Sequence, residues 1–297
     1  MYSLGTNNAA NAIGALLGAG ITSLRFGQAL FIVGVILGAL LEGYKLSLVL
    51  GGNGELAGFG IETLSILMTA TILTCFATYI GAPLPVTLAI VGGSWGIGIL
   101  RGQIVCEQVL KFVIAWALTP MIAAIVSLAL FKLSMEVRRR ARRILNAVLA
   151  EGVLSLLGSF YIAYVLGANT VGLIAGLASS HAPIFLILAA GVITGFGGTR
   201  GIKVCQTVGE QFVGLGVTAS AIVQVSSALV IHMLTQFSCP ASITQAVVGA
   251  ILGVGLFKGL KAVNLGLTAR VFSLWAFTPA LAAVLASFVY LLITSIL

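Results

Sequence analysis

Apolar stretches too long for the core helices of soluble proteins recur along the whole of this 297-residue chain. An α-helix needs about 20 apolar residues to cross the hydrocarbon of a bilayer. Lipid offers no water to satisfy backbone N–H and C=O groups, so repeated runs of this kind restrict the chain to a bundle of transmembrane helices. The charge content agrees. Only 7% of the residues are charged, against about 25% in a soluble domain, and the mean hydropathy is +1.18. So few charges do not cover a water-facing surface. The chain therefore reads as an all-α, polytopic membrane protein whose first partner is the lipid bilayer.

The net charge of +8 at pH 7 does not point to nucleic acid, because the charges are placed wrongly for it. Five of the fifteen basic residues, Arg138, Arg139, Arg140, Arg142 and Arg143, lie in one run, "EVRRRARR". A short basic loop between apolar spans faces the cytoplasm, which places residues 135–143 on that side of a multi-pass protein of the cell membrane. Contact with anionic lipid is compatible with that role. The four Cys (75, 106, 205, 239) and two His (181, 232) show no metal-ligand spacing, so no metal centre or cofactor is expected. All seven acidic residues are Glu, and there is no Asp. The chain opens directly into polar residues, and no cleavable signal peptide is expected.

Laid on itself at an offset near 157–162, the sequence matches along most of its length. "LGTN" (4–7) meets "LGAN" (166–169), and "GVILG" (34–38) meets "GVITG" (191–195). Gly54-Glu55 meets Gly209-Glu210. "APLPVTLAIVGGSWGIGILRG" (82–102) meets "CPASITQAVVGAILGVGLFKG" (239–259), and "WALTP" (116–120) meets "WAFTP" (275–279). Five collinear matches in order mark an internal duplication: residues 1–134 form one transmembrane repeat and 144–297 the other, joined by 135–143. The second repeat carries an apolar helix at 144–165 for which the first has no equivalent, as though its first helix were missing. Duplicated membrane proteins with Gly/Pro-broken half-spans at matching places are typically transporters, with the substrate site where the repeats meet. Hydropathy does not fix the number of crossings per half; inverted repeats with broken half-helices are the expectation.

Two segments carry the chemistry. Pro83 and Pro240 each open a short segment with small hydroxyls, Thr87 in one, Ser242 and Thr244 in the other. Proline suits a first helical turn, and that turn presents free N–H groups and the positive dipole end to an anion. The plainer alternative is that these hydroxyls bond their own helix carbonyls. Asn7, Asn8, Asn11 and Asn169 stand beside Gly5 and Gly167 at expected helix interruptions, where amides satisfy broken backbone or contact an ion; helix-to-helix bonding is the alternative. Glu55 and Glu210 sit on apolar stretches, and an intramembrane carboxylate is a functional candidate, unless it lies at the interface. Arg101 and Lys258 end their segments and read as snorkelling. "GGSWG" (92–96) matches the nucleophile-elbow pattern, but that motif needs a strand-to-helix turn and a His. Its repeat "GAILG" lacks the Ser, so packing explains Ser94. With no nucleophile–base or metal-ligand set, the chain does not read as an enzyme.

These residues resemble the inorganic phosphate transporter family of phosphate and related sulfate permeases. Members carry G-A-N-D-x-A-N in each half, followed by P-V-S-T-T-H-A. Here the first signature reads Gly5-Thr6-Asn7-Asn8-Ala9-Ala10-Asn11 and the second Gly167-Ala168-Asn169-Thr170-Val171-Gly172-Leu173. The second element reads Pro83-Leu84-Pro85-Val86-Thr87-Leu88-Ala89 and Pro240-Ala241-Ser242-Ile243-Thr244-Gln245-Ala246. The resemblance spans nearly the whole chain, and no single motif is complete.

It implies an often dimeric carrier of phosphate, or of sulfate, driven by a sodium or proton gradient. Carried over by position, Asn7, Thr87, Asn169, Ser242, Thr244 and Gln245 would face the anion. Asn8, Asn11 and Thr170 would face the coupling cation, with Glu55 and Glu210 as further cation candidates. The signature Asp, the natural cation ligand, is Asn8 in one half and Thr170 in the other. That substitution leaves oxygen without charge, and it keeps open sulfate as substrate, uncoupled transport, and a degenerate anion-binding homologue that does not transport.

Overall fold

The computed structural model describes residues 1–51, 60–82, 84–103, 106–140, 144–178, 183–201, 216–259 and 264–296, and every regular element among them is helical. The first part of the chain forms α1 (Tyr2–Gly18), α2 (Leu24–Glu42), α3 (Tyr44–Gly51), α4 (Ile61–Tyr79), α5 (Val86–Leu100) and α6 (Cys106–Arg140). The second forms α7 (Ile144–Leu166), which runs through a π-turn (Gly167–Val171) into α8 (Gly172–Ala178). It continues as α9 (Ile184–Gly197), α10 (Val217–Gln236), α11 (Ile243–Lys258) and α12 (Leu265–Ile296). Among the described residues, six helices are long and apolar enough to cross a membrane.

The duplication is visible in lengths: α4 and α10 have 19 and 20 residues, α5 and α11 have 15 and 16. At 1.5 Å per residue, α5 and α11 reach only about 22–24 Å, short of the roughly 30 Å hydrocarbon core. They are half-helices, each folded back on the full helix before it. The basic run expected as a loop is helical as far as Arg140. Glu136 pairs with Arg139 at 3.6 Å and Arg140 at 2.7 Å, and cations favour the negative end of a helix. Residues 141–143 lie outside the described residues.

The hairpins are rooted at opposite ends. Arg101, just after α5, pairs with Glu62 in the first turn of α4 at 2.8 Å. From that end the 35 residues of α6 carry the chain about 50 Å. There Arg138 meets Glu151 of α7 at 3.4 Å and Thr218 in the first turn of α10 at 2.9 Å. The α4–α5 hairpin therefore enters from one side and α10–α11 from the other, so the repeats are inverted.

Glycines set the closest helix crossings. A Cβ on Gly92 of α5 would stand 2.5 Å from the Pro279 carbonyl oxygen of α12, and one on Gly96 would run into Ala283. In the other half, Gly249 and Gly253 of α11 lie against Pro120 and Ala124 of α6 in the same way. The glycine-rich runs are thus small-residue packing faces. Ser94 lies between them, buried, donating to the Ile90 carbonyl of its own helix at 3.0 Å. Ser94→Ala should leave the melting temperature in detergent nearly unchanged, because the hydroxyl bonds only its own helix; a large loss would show that it has a further partner.

Candidate functional site

The hairpin tips meet near the centre of the bundle. Thr87 in the first turn of α5 donates from its hydroxyl to the carbonyl of Ala241, just before α11, at 3.2 Å. Pro85 is the extended N-cap of α5 and provides no side-chain cap. Ser242 is the N-cap of α11 and accepts from the Gln245 amide at 3.2 Å. The prolines therefore precede the helices instead of opening their first turn: Pro240 lies two residues before the cap, and Pro83 falls outside the described residues. Proline's fixed φ suits this extended entry.

Each tip is held by one asparagine, in matching fashion. The Asn7 amide donates to Thr78 Oγ1 at 3.1 Å and Ala82 O at 3.2 Å, and accepts from the Leu84 amide at 3.2 Å. The Asn169 amide donates to Thr235 Oγ1 at 2.9 Å and Cys239 O at 3.2 Å, and accepts from the Ala241 amide at 3.2 Å. Both donors of each amide are engaged: the side-chain N–H groups that the resemblance directs to the anion hold the chain in this structure. They clamp the chain where it turns into the half-helix.

The first asparagine cluster is not a helix break. α1 is continuous across Gly5–Asn11, because its amides find side-chain and carbonyl partners without opening the backbone. Asn8 Nδ2 donates to Leu4 O at 3.1 Å, and Asn11 Nδ2 donates to Asn8 Oδ1 and to Thr244 Oγ1, each at 3.0 Å. Gly5 and Gly167 serve close packing, since a Cβ would collide with the Thr194 and Val35 carbonyls respectively. The second cluster does interrupt the helix: Asn169 and Thr170 lie in the π-turn, a distortion frequent at functional sites.

Asn8, Asn11, Thr87, Asn169, Thr170, Ser242, Thr244 and Gln245 are all at most 5% exposed. Two acceptors in this region, Asn11 Oδ1 and Gln245 Oε1, are buried without a partner. Each such group calls for a missing donor or cation. The hydroxyls of Ser242 and Thr244 act as acceptors, which leaves their hydrogens free to donate. Glu55 and Glu210 lie outside the described residues, as does the Lys258 side chain, while Arg101 is held by Glu62. Nothing in the residue pattern singled out Glu42, His232 or Gln236, whose contacts bridge the two repeats.

A family model described as the phosphate transporter family matches residues 4–164 and 149–286. Two archaeal proteins, each named "Putative phosphate permease", are similar over nearly the whole chain. One, from Methanocaldococcus jannaschii, is 26% identical over 96% of this chain and 91% of its own. The other, from Pyrococcus furiosus, is 25% identical over 97% of this chain and 92% of its own. A solved structure of a sodium-dependent phosphate transporter shares the fold, with a TM-score of 0.90, 22% identity, and coverage of 100% of this chain and 96% of that one. With paired half-helices, matched asparagine clamps and a family model that spans both repeats, this chain belongs to the phosphate transporter family.

Proposed function

We propose that this chain moves inorganic phosphate across the membrane as a secondary transporter, by alternating access between its two repeats. The observation that carries the reading is the meeting of two half-helix tips rooted at opposite ends of the protein, joined through Thr87 and Ala241. First-turn N–H groups lack intrahelical partners and carry the positive end of the helix dipole, so paired tips suit an oxyanion. Ser242 and Thr244 would donate their free hydroxyl hydrogens to it, and Thr87 would exchange the Ala241 carbonyl for it. Asn7 and Asn169 act as positioning residues. Asn8, Asn11 and Thr170 would offer neutral oxygens to a coupling cation.

The unpartnered Gln245 oxygen favours phosphate over sulfate. Phosphate near neutral pH has an O–H to give to such an acceptor, whereas sulfate has none. The test is radiolabelled phosphate uptake into proteoliposomes. Hydrogen bonds to a charged group contribute about 1.5–3 kcal/mol each, so Ser242→Ala with Thr244→Val should lower uptake roughly 100-fold or more. Unchanged uptake would sink the tip site. Sulfate that fully outcompetes phosphate would make the chain a sulfate permease, and binding without counterflow would make it an anion-binding homologue.

A further inference from the structure

A second polar cluster lies outside the signature motifs. Glu42, the last residue of α2, accepts from Tyr164 at 2.7 Å, Gln236 at 2.8 Å and Lys45 at 3.0 Å. His232 Nε2 lies 3.3 Å from the same carboxylate, and His232 Nδ1 shares a hydrogen bond with the Tyr161 hydroxyl. α2, α3, α7 and α10 converge here. His232 and Gln236 share one face of α10 in its last turns, and Thr235 beside them holds Asn169 at the hairpin tip.

Among the described residues the cluster has no twin. The asparagine clamps and the glycine–proline crossings each occur in both repeats. Glu42, His232 and Gln236, by contrast, align with Thr199, Cys75 and Tyr79. What the inverted fold requires is built twice, and this cluster is built once. Its carboxylate is also distinctive among those described. Glu62, Glu136 and Glu151 pair with arginines, and Glu107 is exposed. Glu42 alone among them contacts a histidine, the side chain whose charge ordinarily changes between about pH 5 and 8.

We propose that His232 and Glu42 form a proton-binding site that couples proton uptake to anion binding at the hairpin tips. The inference rests on the transport reading above, and it supplies an ionisable group where Asn8 and Thr170 offer none. With neutral His232, Nε2–H donates to Glu42 and Nδ1 accepts from Tyr161. A proton taken up at Nδ1 makes an imidazolium that holds Glu42 more strongly and converts the Tyr161 oxygen to an acceptor. Positive charge thereby arrives on α10 beside the tip where the anion binds, and α10 is fastened to α2. Release of the proton leaves Glu42 to Lys45, Gln236 and Tyr164 and loosens that tie. The charged groups facing the site from neighbouring elements are Lys45 of α3 and, across a cavity of about 420 Å³ that Lys45 and Ser238 also line, Glu107 and Lys111 of α6. The polar lining of that cavity suits water on the Lys45 side of the cluster.

Coupling between proton and anion must be reciprocal. The chain has two histidines, so in a His181→Gln background, nitrogen NMR of the full chain in nanodiscs follows His232 alone. Saturating inorganic phosphate at each pH should raise the His232 titration midpoint by about one pH unit, a tenfold coupling. Glu42→Gln should abolish that shift. Both Glu42→Gln and His232→Gln should remove the acceleration of uptake by an inward proton gradient while phosphate still binds. A midpoint unmoved or lowered by bound phosphate overturns the proton site and leaves the transport reading standing. Absence of phosphate binding overturns both.

Discussion

Replacing Asn169 by Asp, which has nearly the same shape, is expected to abolish phosphate uptake and to destabilise the protein. Asn169 is fully buried, and its two amide hydrogens go to Thr235 Oγ1 and Cys239 O. Thr235 already gives its own hydrogen to Ile231 O at 2.8 Å, so it presents only a lone pair to residue 169. A carboxylate would therefore face two acceptors at a site closed to solvent. Leaving a buried polar group unpaired costs about 1–3 kcal/mol, and an uncompensated buried charge costs several more. Against a total stability of about 5–15 kcal/mol, that is a large fraction. Asn7→Asp should behave alike, because Thr78 likewise donates to Thr74 O at 2.8 Å. The measurements are melting in detergent and uptake in proteoliposomes; wild-type uptake by either variant would refute the clamp.

Gly249→Val should have the next largest effect, on folding first and transport second. The Cα of Gly249 lies so near Pro120 that an added Cβ would stand 2.6 Å from the Pro120 Cα and nearer still to its carbonyl. Backbone cannot swing aside as a flexible side chain can, so α11 and α6 must separate along their contact. Overpacking costs about 1–3 kcal/mol or more, and 3 kcal/mol corresponds to a melting shift of roughly 5 °C in a chain of this size. Gly216→Ala is the control, since nothing lies within 4 Å of a Cβ added there. Equal melting temperatures for the two variants would show that the α11–α6 crossing is looser than described.

Much of this was legible in the residues. The repeated Pro, Thr, Gly and Trp-x-x-x-Pro positions announced two matched half-helices, and the glycine runs announced close packing. The asparagines were harder. Amides in an apolar run suggest a broken helix, yet in α1 the partners of Asn7 lie on a hairpin more than seventy residues away, and the helix stays whole. Glu42 was illegible for the same reason. Its partners Tyr164, His232 and Gln236 are 122, 190 and 194 residues distant. Hydrophobic periodicity marks which face of a helix is buried, but a single long-range polar contact leaves no period behind.

Each half-helix rests on the long helix of the opposite repeat: α5 on α12 through Gly92 and Pro279, α11 on α6 through Gly249 and Pro120. The first hairpin leaves the ribosome well before the surface it packs against has been made. During synthesis it must wait beside lipid or a translocase, and it closes only when the last helix arrives. Two separate copies of one repeat would face a harder problem, having to insert in opposite orientations and lend each other an arm. Joining them in a single chain turns that exchange from a matter of encounter into one of connectivity.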